Sequence, residues 1–308
     1  MEPLSVIFVG TGDFGVDILE ALLKDPKIRI SFVITGLDKP SGRGLKTVFS
    51  DIKTLALKNK LIVHQPRRIT EMKQKIIQEK PDFILVVAYG EIIKKDLLDI
   101  PQYGSVNVHA SLLPKYRGAS PVQEALLRGD GETGVTWILM NEKMDQGDII
   151  AQRSLTIDAR DTHLALSEKL SRLAATVCAR VLIDYSKTHL SIPQNETQAS
   201  LCKKILKDDG RINFGEETAE EIIQKIKAYT PWPGVFFVLN GKRIKITQAL
   251  IGEQKISSGE VALENSKIMA IGTRKNALLP LRVQPESKRE MSIEEFLRGQ
   301  KEIPEKIG

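Results

Sequence analysis

Four short runs rich in β-branched and apolar residues, Ser5–Val9, Ile30–Thr35, Phe83–Ala88 and Gly104–His109, alternate with amphipathic stretches such as Phe14–Lys24 and Glu71–Glu79. Strands joined through helices return to the same end of a sheet and lie parallel. The alternation therefore predicts an α/β fold, a Rossmann-like parallel sheet covered by helices. Leu164–Tyr185 carries apolar residues at helical spacing behind Asp161 and Thr162 as caps, and closes this first domain. The next stretch, HLSIPQNETQAS at His189–Ser200, is polar and contains Pro193, the composition of a linker. From about Gly210 the texture changes to one helix, Glu217–Ala228, and short strands punctuated by Gly241, Gly252, Gly259 and Gly272. That pattern predicts a smaller β domain of barrel type. The expected division is a first domain over residues 1–188, a linker over 189–202 and a second domain over 203–308.

Composition agrees with two domains, since 308 residues exceed what one core usually organises. With 42% hydrophobic and 27% charged residues the chain reads as globular, not disordered. Cys178 and Cys202 are the only cysteines, too few for a disulfide framework or a thiolate-rich metal site. MEPLSVIFVG has no basic segment before its apolar run, and no stretch reaches the ~18 to 20 apolar residues of a membrane span. A cytoplasmic protein with no membrane partner is expected. The net charge is +6, and residues from Lys203 onward hold 19 basic against 15 acidic side chains, a difference of +4. A basic surface raises the local concentration of phosphate-bearing ligands, although many basic proteins bind none.

The glycines of GTGDFG, Gly10, Gly12 and Gly15, follow a strand and open a helix as the dinucleotide fingerprint requires. That fingerprint also needs an acidic residue at the end of the second strand, which here ends at Ile34, Thr35 and Gly36, with Asp38 arriving late. The glycines are better read as permitting a tight turn with close packing, and no NAD is expected.

Residues 104–150 carry the chemistry. In SVNVHAS, Asn107 and His109 are two apart, so their side chains leave one face of a strand near its carboxyl end, where open α/β sheets bind ligands. A loop shaped by Pro114 and Gly118 follows, then a strand candidate at Val135–Met140 and a loop with Asp145 and Asp148. An amide, an imidazole and a carboxylate converging at one edge suit acyl transfer to an amine. The amide and a protonated imidazole donate to the developing oxyanion, and the carboxylate moves a proton. No metal is called for. Taken singly, each residue has a structural alternative: a hydrogen-bonded core histidine, a strand-end asparagine, an ordinary loop aspartate.

NVHASLLPKYRGASPVQEALLRGD, with TGVTWILMNEKMDQGDII behind it, resembles the signature of the folate-dependent formyltransferases, and within them those acting on methionyl-tRNA. The resemblance implies that Asn107, His109 and Asp145 form the catalytic trio, with Asp148 in support, and that Ser111, Leu112, Leu113 and Pro114 form the folate-binding loop. ILVVAYGEII, residues 84–93, resembles the strand and loop of the pterin pocket, which implies a folate role for Val87, Ala88, Tyr89 and Gly90. KPSGRGLK, residues 39–46, resembles an inserted basic loop that enters the acceptor end of tRNA, which gives Arg43 and Lys46 contacts there. Leu45 stands where the family more often has lysine. DDGRINF, PWPG, GKRIKI and VQPESKREMS resemble the family's C-terminal domain, an oligonucleotide-binding (OB)-like barrel. Lys203, Lys204, Lys207 and Arg211, and beyond them Lys242, Arg243 and Lys245, are then candidates for the tRNA path. The implied reaction moves the formyl group of 10-formyltetrahydrofolate to the α-amino group of initiator methionyl-tRNA, and a monomer is expected. Formyltransferases acting on small amines, a formyl-folate hydrolase, a nicotinamide oxidoreductase and a non-catalytic RNA-binding protein are the competing readings.

Overall fold

Strands buried on both faces read as unbroken apolar runs, and two such runs form the middle of the first sheet. The computed structural model describes residues 2–41, 46–265 and 267–307. In it Leu4–Gly10 (β1), Ile28–Ile34 (β2), Val63–His64 (β3), Phe83–Val87 (β4), Ser105–His109 (β5), Glu132–Leu139 (β6) and Ile149–Thr156 (β7) make one sheet in the order β7-β6-β5-β4-β1-β2-β3. Val6–Val9 of β1 and the whole of β4 are buried. β1 pairs in parallel with β2 and β4, β2 with β3, and β4 with β5. β6 and β7 run antiparallel at one edge. The expected parallel sheet is thus extended by an antiparallel pair, of which β7 was not anticipated. Strand order reverses between β1 and β4, so the crevice for a ligand opens at their carboxyl ends, beside that of β5.

The helix His163–Thr188 buries Leu166, Leu170, Ala174, Cys178, Val181, Leu182 and Tyr185, a stripe at helical spacing. Its Ser171 hydroxyl reaches the Phe14 carbonyl at 2.9 Å and the Asp17 carboxylate at 2.8 Å, tying it to the turn after β1. Gly10 in that turn faces β4 so closely that a Cβ would lie 2.7 Å from the Val87 carbonyl oxygen. Close packing is what this glycine provides. Asp38 is engaged elsewhere: Lys53 donates to it at 2.6 Å and Gln65 at 2.8 Å.

The chain divides into two units. The first contains Met1–Pro121, Glu132–Thr156 and Leu166–Cys202, and the second Val122–Gly131, Ile157–Ala165 and Lys203–Gly308. Residues 189–202, expected as a linker, belong to the first unit, and a physical reason is visible. Ile192 exchanges both backbone hydrogen bonds with Ile149, at 2.8 and 2.9 Å, and Leu201–Cys202 pair in parallel with Arg117–Gly118. The polar composition that suggested a tether instead serves hydrogen bonding to neighbouring loops.

In the second unit, Val235–Leu239 (β8), Lys242–Gly252 (β9), Val261–Glu264 (β10), Ile268–Gly272 (β11) and Ala277–Pro285 (β12) form an antiparallel sheet in the order β8-β9-β12-β11-β10, with Met291–Ser292 (β13) on β12. Alternate residues such as Ile244 and Ile246 of β9, and Val283 and Pro285 of β12, are buried. The helix Ala219–Tyr229 starts at a capping box in which Thr218 and Glu221 each bond the other's backbone amide. No described helix is long and apolar enough to cross a membrane.

Candidate active site

The register of β5 decides which side chains reach the crevice. Asn107 lies between Val86 of β4 and Ile138 of β6, and His109 lies opposite Thr136 of β6, so the two project from one face at the carboxyl end. Asp145 comes from the loop between β6 and β7. Its Oδ1 lies 3.4 Å from Asn107 Nδ2 and 3.6 Å from His109 Nδ1, and its Oδ2 accepts a 2.9 Å hydrogen bond from the Gly118 amide. The three side chains expected to converge do converge. His109 is 6% exposed, and its Nε2 lies 3.0 Å from the Tyr116 carbonyl. A carbonyl only accepts, so Nε2 carries a proton and Nδ1 is the nitrogen facing the carboxylate. The Asn107 amide and the Nδ1 edge of His109 thus both face the same carboxylate oxygen of Asp145. Asp148, given a supporting role by resemblance, meets the Ser191 hydroxyl at 3.4 Å and accepts from the Leu139 amide through its backbone carbonyl at 2.8 Å.

The loop Ser111–Pro114 leaves β5 beside this cluster, and a single hydroxyl holds it. Thr136 Oγ1 donates to the Ser111 carbonyl at 2.6 Å and accepts from the Leu113 amide at 3.1 Å and from Gln152 Nε2 at 2.9 Å. Gln152 Nε2 also reaches the Leu113 carbonyl at 2.7 Å. Ser111 itself is fully buried, its hydroxyl donating to the Lys115 carbonyl at 2.6 Å. Its side chain shapes the turn. Leu113 is buried, Leu112 and Pro114 are half-buried, and the Leu113–Pro114 bond is cis.

Val87–Gly90 leaves the adjacent strand at the same edge. Val87 is buried, while Ala88, with φ 48°, turns the chain outward so that it and Gly90 are exposed. Tyr89 packs against the apolar cluster of Ile7, Val86, Ile93 and Leu97. Burial, with the Glu91 carboxylate beside it, pushes the Tyr89 hydroxyl up to about 12, so it remains a neutral donor, 3.4 Å from Glu91 Oε2. An apolar floor with polar groups at its rim suits a flat heteroaromatic ring.

The formyl transferase family model matches residues 4–182, and that of the formyl transferase C-terminal domain matches residues 204–301. The methionyl-tRNA formyltransferase of Methylacidiphilum infernorum is 40% identical over 306 residues, covering 96% of this chain and 95% of its own. That of Thermodesulfovibrio yellowstonii is 36% identical over 299 residues, covering 96% of each. This chain belongs to the formyltransferase family. Among solved structures, the N-formyltransferase from Helicobacter canadensis in complex with folinic acid and dTDP-3-aminofucose has a TM-score of 0.66 at 20% identity, covering 90% of this chain and 98% of that one. HypX from Aquifex aeolicus in complex with tetrahydrofolic acid has a TM-score of 0.61 at 16% identity, covering 95% of this chain. This chain spans 46% of HypX, and both likenesses are of fold.

Around the formyltransferase cluster stand residues that sequence reasoning did not single out: Arg117, Thr136, Gln152 and Gln194. Arg117 and Thr136 lie within the family signature, and their value as buried polar side chains was the missed signal. Gln194 had no local signal, because its partners lie far away along the chain. Arg43 falls outside the described residues, and of Lys46 only the backbone is described, in a strand Lys46–Val48 paired with Lys39–Ser41. Lys203, Lys204, Lys207 and Arg211 are all exposed in the second unit, with Lys203 engaged by Asp209 at 2.6 Å. Arg243 lies over the Phe236 ring, 4.5 Å from its centroid, and pairs with Asp208 at 3.2 Å.

Proposed function

We propose that this formyltransferase moves the formyl group of 10-formyltetrahydrofolate to the α-amino group of initiator methionyl-tRNA, giving the N-formylmethionyl-tRNA used to begin translation. The observation that carries the reading is the meeting of Asn107, His109 and Asp145 at the crevice, within a chain that matches methionyl-tRNA formyltransferases from end to end. The folate rests against Val87–Gly90 and Ser111–Pro114. The neutral amine attacks the formyl carbon, and the carbonyl electron pair moves onto oxygen. Asn107 Nδ2 and the Nδ1–H of a protonated His109, whose Nε2–H stays on the Tyr116 carbonyl, donate to that oxygen, a preorganised environment in which the donors are in place as charge develops. Asp145 accepts the amine proton, the carbon–N10 bond breaks, and the proton is delivered to N10 of tetrahydrofolate.

Recognition of tRNA is assigned to the second unit, through Lys203, Lys204, Lys207 and Arg211, and to Arg43 and Lys46 for the acceptor end. Phosphate contacts fix position, and the loop contacts test the end of the acceptor stem. The deciding assay follows labelled formyl from 10-formyltetrahydrofolate into purified methionyl-tRNA, with initiator and elongator species and free methionine compared. Label confined to initiator methionyl-tRNA is the expected result. Consumption of the folate with no labelled tRNA would mean a small amine or water as acceptor and would overturn the assignment.

A further inference from the structure

The segment 189–202 is laced to the loops that carry the Asn107–His109–Asp145 cluster. Besides the Ile192–Ile149 exchange, the Ser200 hydroxyl accepts from the Tyr116 amide at 2.9 Å, the Ser200 carbonyl from the Arg117 amide at 2.9 Å, and the Ser200 amide donates to the Pro114 carbonyl at 3.2 Å. At its centre is Gln194, 9% exposed. Its Nε2 donates at 2.8 Å to the Asp145 carbonyl and at 2.8 Å to the Gly147 carbonyl, while its Oε1 accepts at 2.9 Å from Arg117 Nε. We infer that this segment is a positioning strap for the reaction, in which Gln194 sets the backbone of Asp145 and Arg117 sets Gln194. The inference rests on the formyl-transfer reading above.

Asp145 needs such a support. Its φ is 54°, in the left-handed region, where a non-glycine residue costs about 1–3 kcal/mol and persists only when its surroundings hold it. Gln194 grips the turn at two carbonyls, Asp145 and Gly147, and so fixes the direction in which the Asp145 side chain emerges. The amide has one workable orientation. Reversed, it would set its oxygen against two carbonyls and its NH2 against a guanidinium. Arg117 enforces that orientation because it is 3% exposed and held by a two-pronged pair with Glu196, at 2.8 and 2.9 Å. The pairing holds the Glu196 carboxyl below, and the Arg117 guanidinium above, their usual ranges, so both stay charged. An exposed carboxylate thus orders a buried cation, the cation orders a buried amide, and the amide orders the backbone from which the acid-base carboxylate projects.

The test uses the full chain with Gln194→Met, which keeps the shape and removes the amide, and Gln194→Glu, which keeps the acceptor for Arg117 and removes the donor. Steady-state formyl transfer is followed with each substrate varied, in the Gln194 variants alone, in Asp145→Asn alone and in Gln194→Met combined with Asp145→Asn. In both Gln194 variants kcat is expected to fall about tenfold or more, a change of roughly 1.4 kcal/mol in the barrier. Both KM values should stay within about twofold, and Gln194→Met should cost little further in the Asp145→Asn background, because it acts through that carboxylate. A partly unfolded preparation would lower kcat by the same factor in both backgrounds. The inference is overturned if kcat holds within twofold, or falls by the same factor with and without Asp145→Asn, in the variant that folds. If Asp145→Asn itself turns over at the wild-type rate, the reading of the cluster has failed first, and the strap falls with it.

Discussion

The Gly118 amide donates a 2.9 Å hydrogen bond to the carboxylate of Asp145, so a backbone group of one loop fixes a side chain carried by another. Gly118 has φ 125°, and a Cβ there would lie 2.2 Å from the Cys202 carbonyl oxygen. Gly118→Ala is therefore expected to destabilise the protein by more than about 1 kcal/mol, since alanine is placed where φ is positive and backbone blocks its methyl. Thermal unfolding and kcat measured together should both fall. A variant with wild-type melting and turnover would show that the close approach to Cys202 relaxes freely.

Asp145→Asn keeps the shape of the side chain and removes its basicity, and His109→Ala removes the ring donor. Each should lower kcat by ~10² to 10⁴-fold, the usual span for a positioned acid or base. Affinity for methionyl-tRNA, measured by filter binding, should change little. An undiminished rate in either variant would contradict the assignment.

Thr136 is fully buried and its hydroxyl serves the Ser111 carbonyl, the Leu113 amide and Gln152 at once. Thr136→Val preserves volume but strands these partners, at an expected cost of about 1–3 kcal/mol. The loop Ser111–Pro114 should loosen, so the KM for 10-formyltetrahydrofolate is expected to rise while that for tRNA stays near its wild-type value. Chemical denaturation and steady-state kinetics check the two halves of this prediction.

How far the sequence foretold this site depends on the kind of interaction. Asn107 and His109 were legible because a period of two on one strand is a local property, and the buried runs of β1 and β4 were legible for the same reason. β7 was not, because IIAQRSLT at a sheet edge has only partly buried side chains and no clean alternation. The helix Asp51–Lys58 was missed likewise, since only Ile52 and Ala56 are buried. Gln194 lay hidden for a different reason: its partners are 77, 49 and 47 positions away, and a polar run with a proline reads as a tether until the fold supplies them. Asp145 could be named only among loop carboxylates, because its left-handed backbone is imposed by those distant groups.

Glu196 gives the strap a pH dependence of definite sign. Its carboxyl is held below the ordinary glutamate value of 4.5, chiefly by Arg117, so the stabilisation is fully present above that value and is lost as pH falls through the lower folded value. Unfolding followed from neutral to acid pH should show a decline in this range that is smaller in Glu196→Gln. Equal declines in the two proteins would mean that Glu196 does not contribute.

Lys204 and Lys207 are exposed beside the start of the second unit. If they meet tRNA phosphates, Lys204→Ala combined with Lys207→Ala should flatten the dependence of log affinity on log salt by ~0.7 to 0.9 for each phosphate no longer neutralised, with kcat at saturating tRNA unaltered. An unchanged slope would place the tRNA path elsewhere.

The bridge between Ile149 and Ile192 has a consequence for solubility. β7 is the edge strand of the sheet, and an open edge offers unpaired amides and carbonyls on which another chain can add a strand. Ile192 occupies both groups of Ile149 where that edge begins. A fragment ending at Thr188 exposes them and is expected to associate edge to edge, whereas one ending at Cys202 carries its own cover.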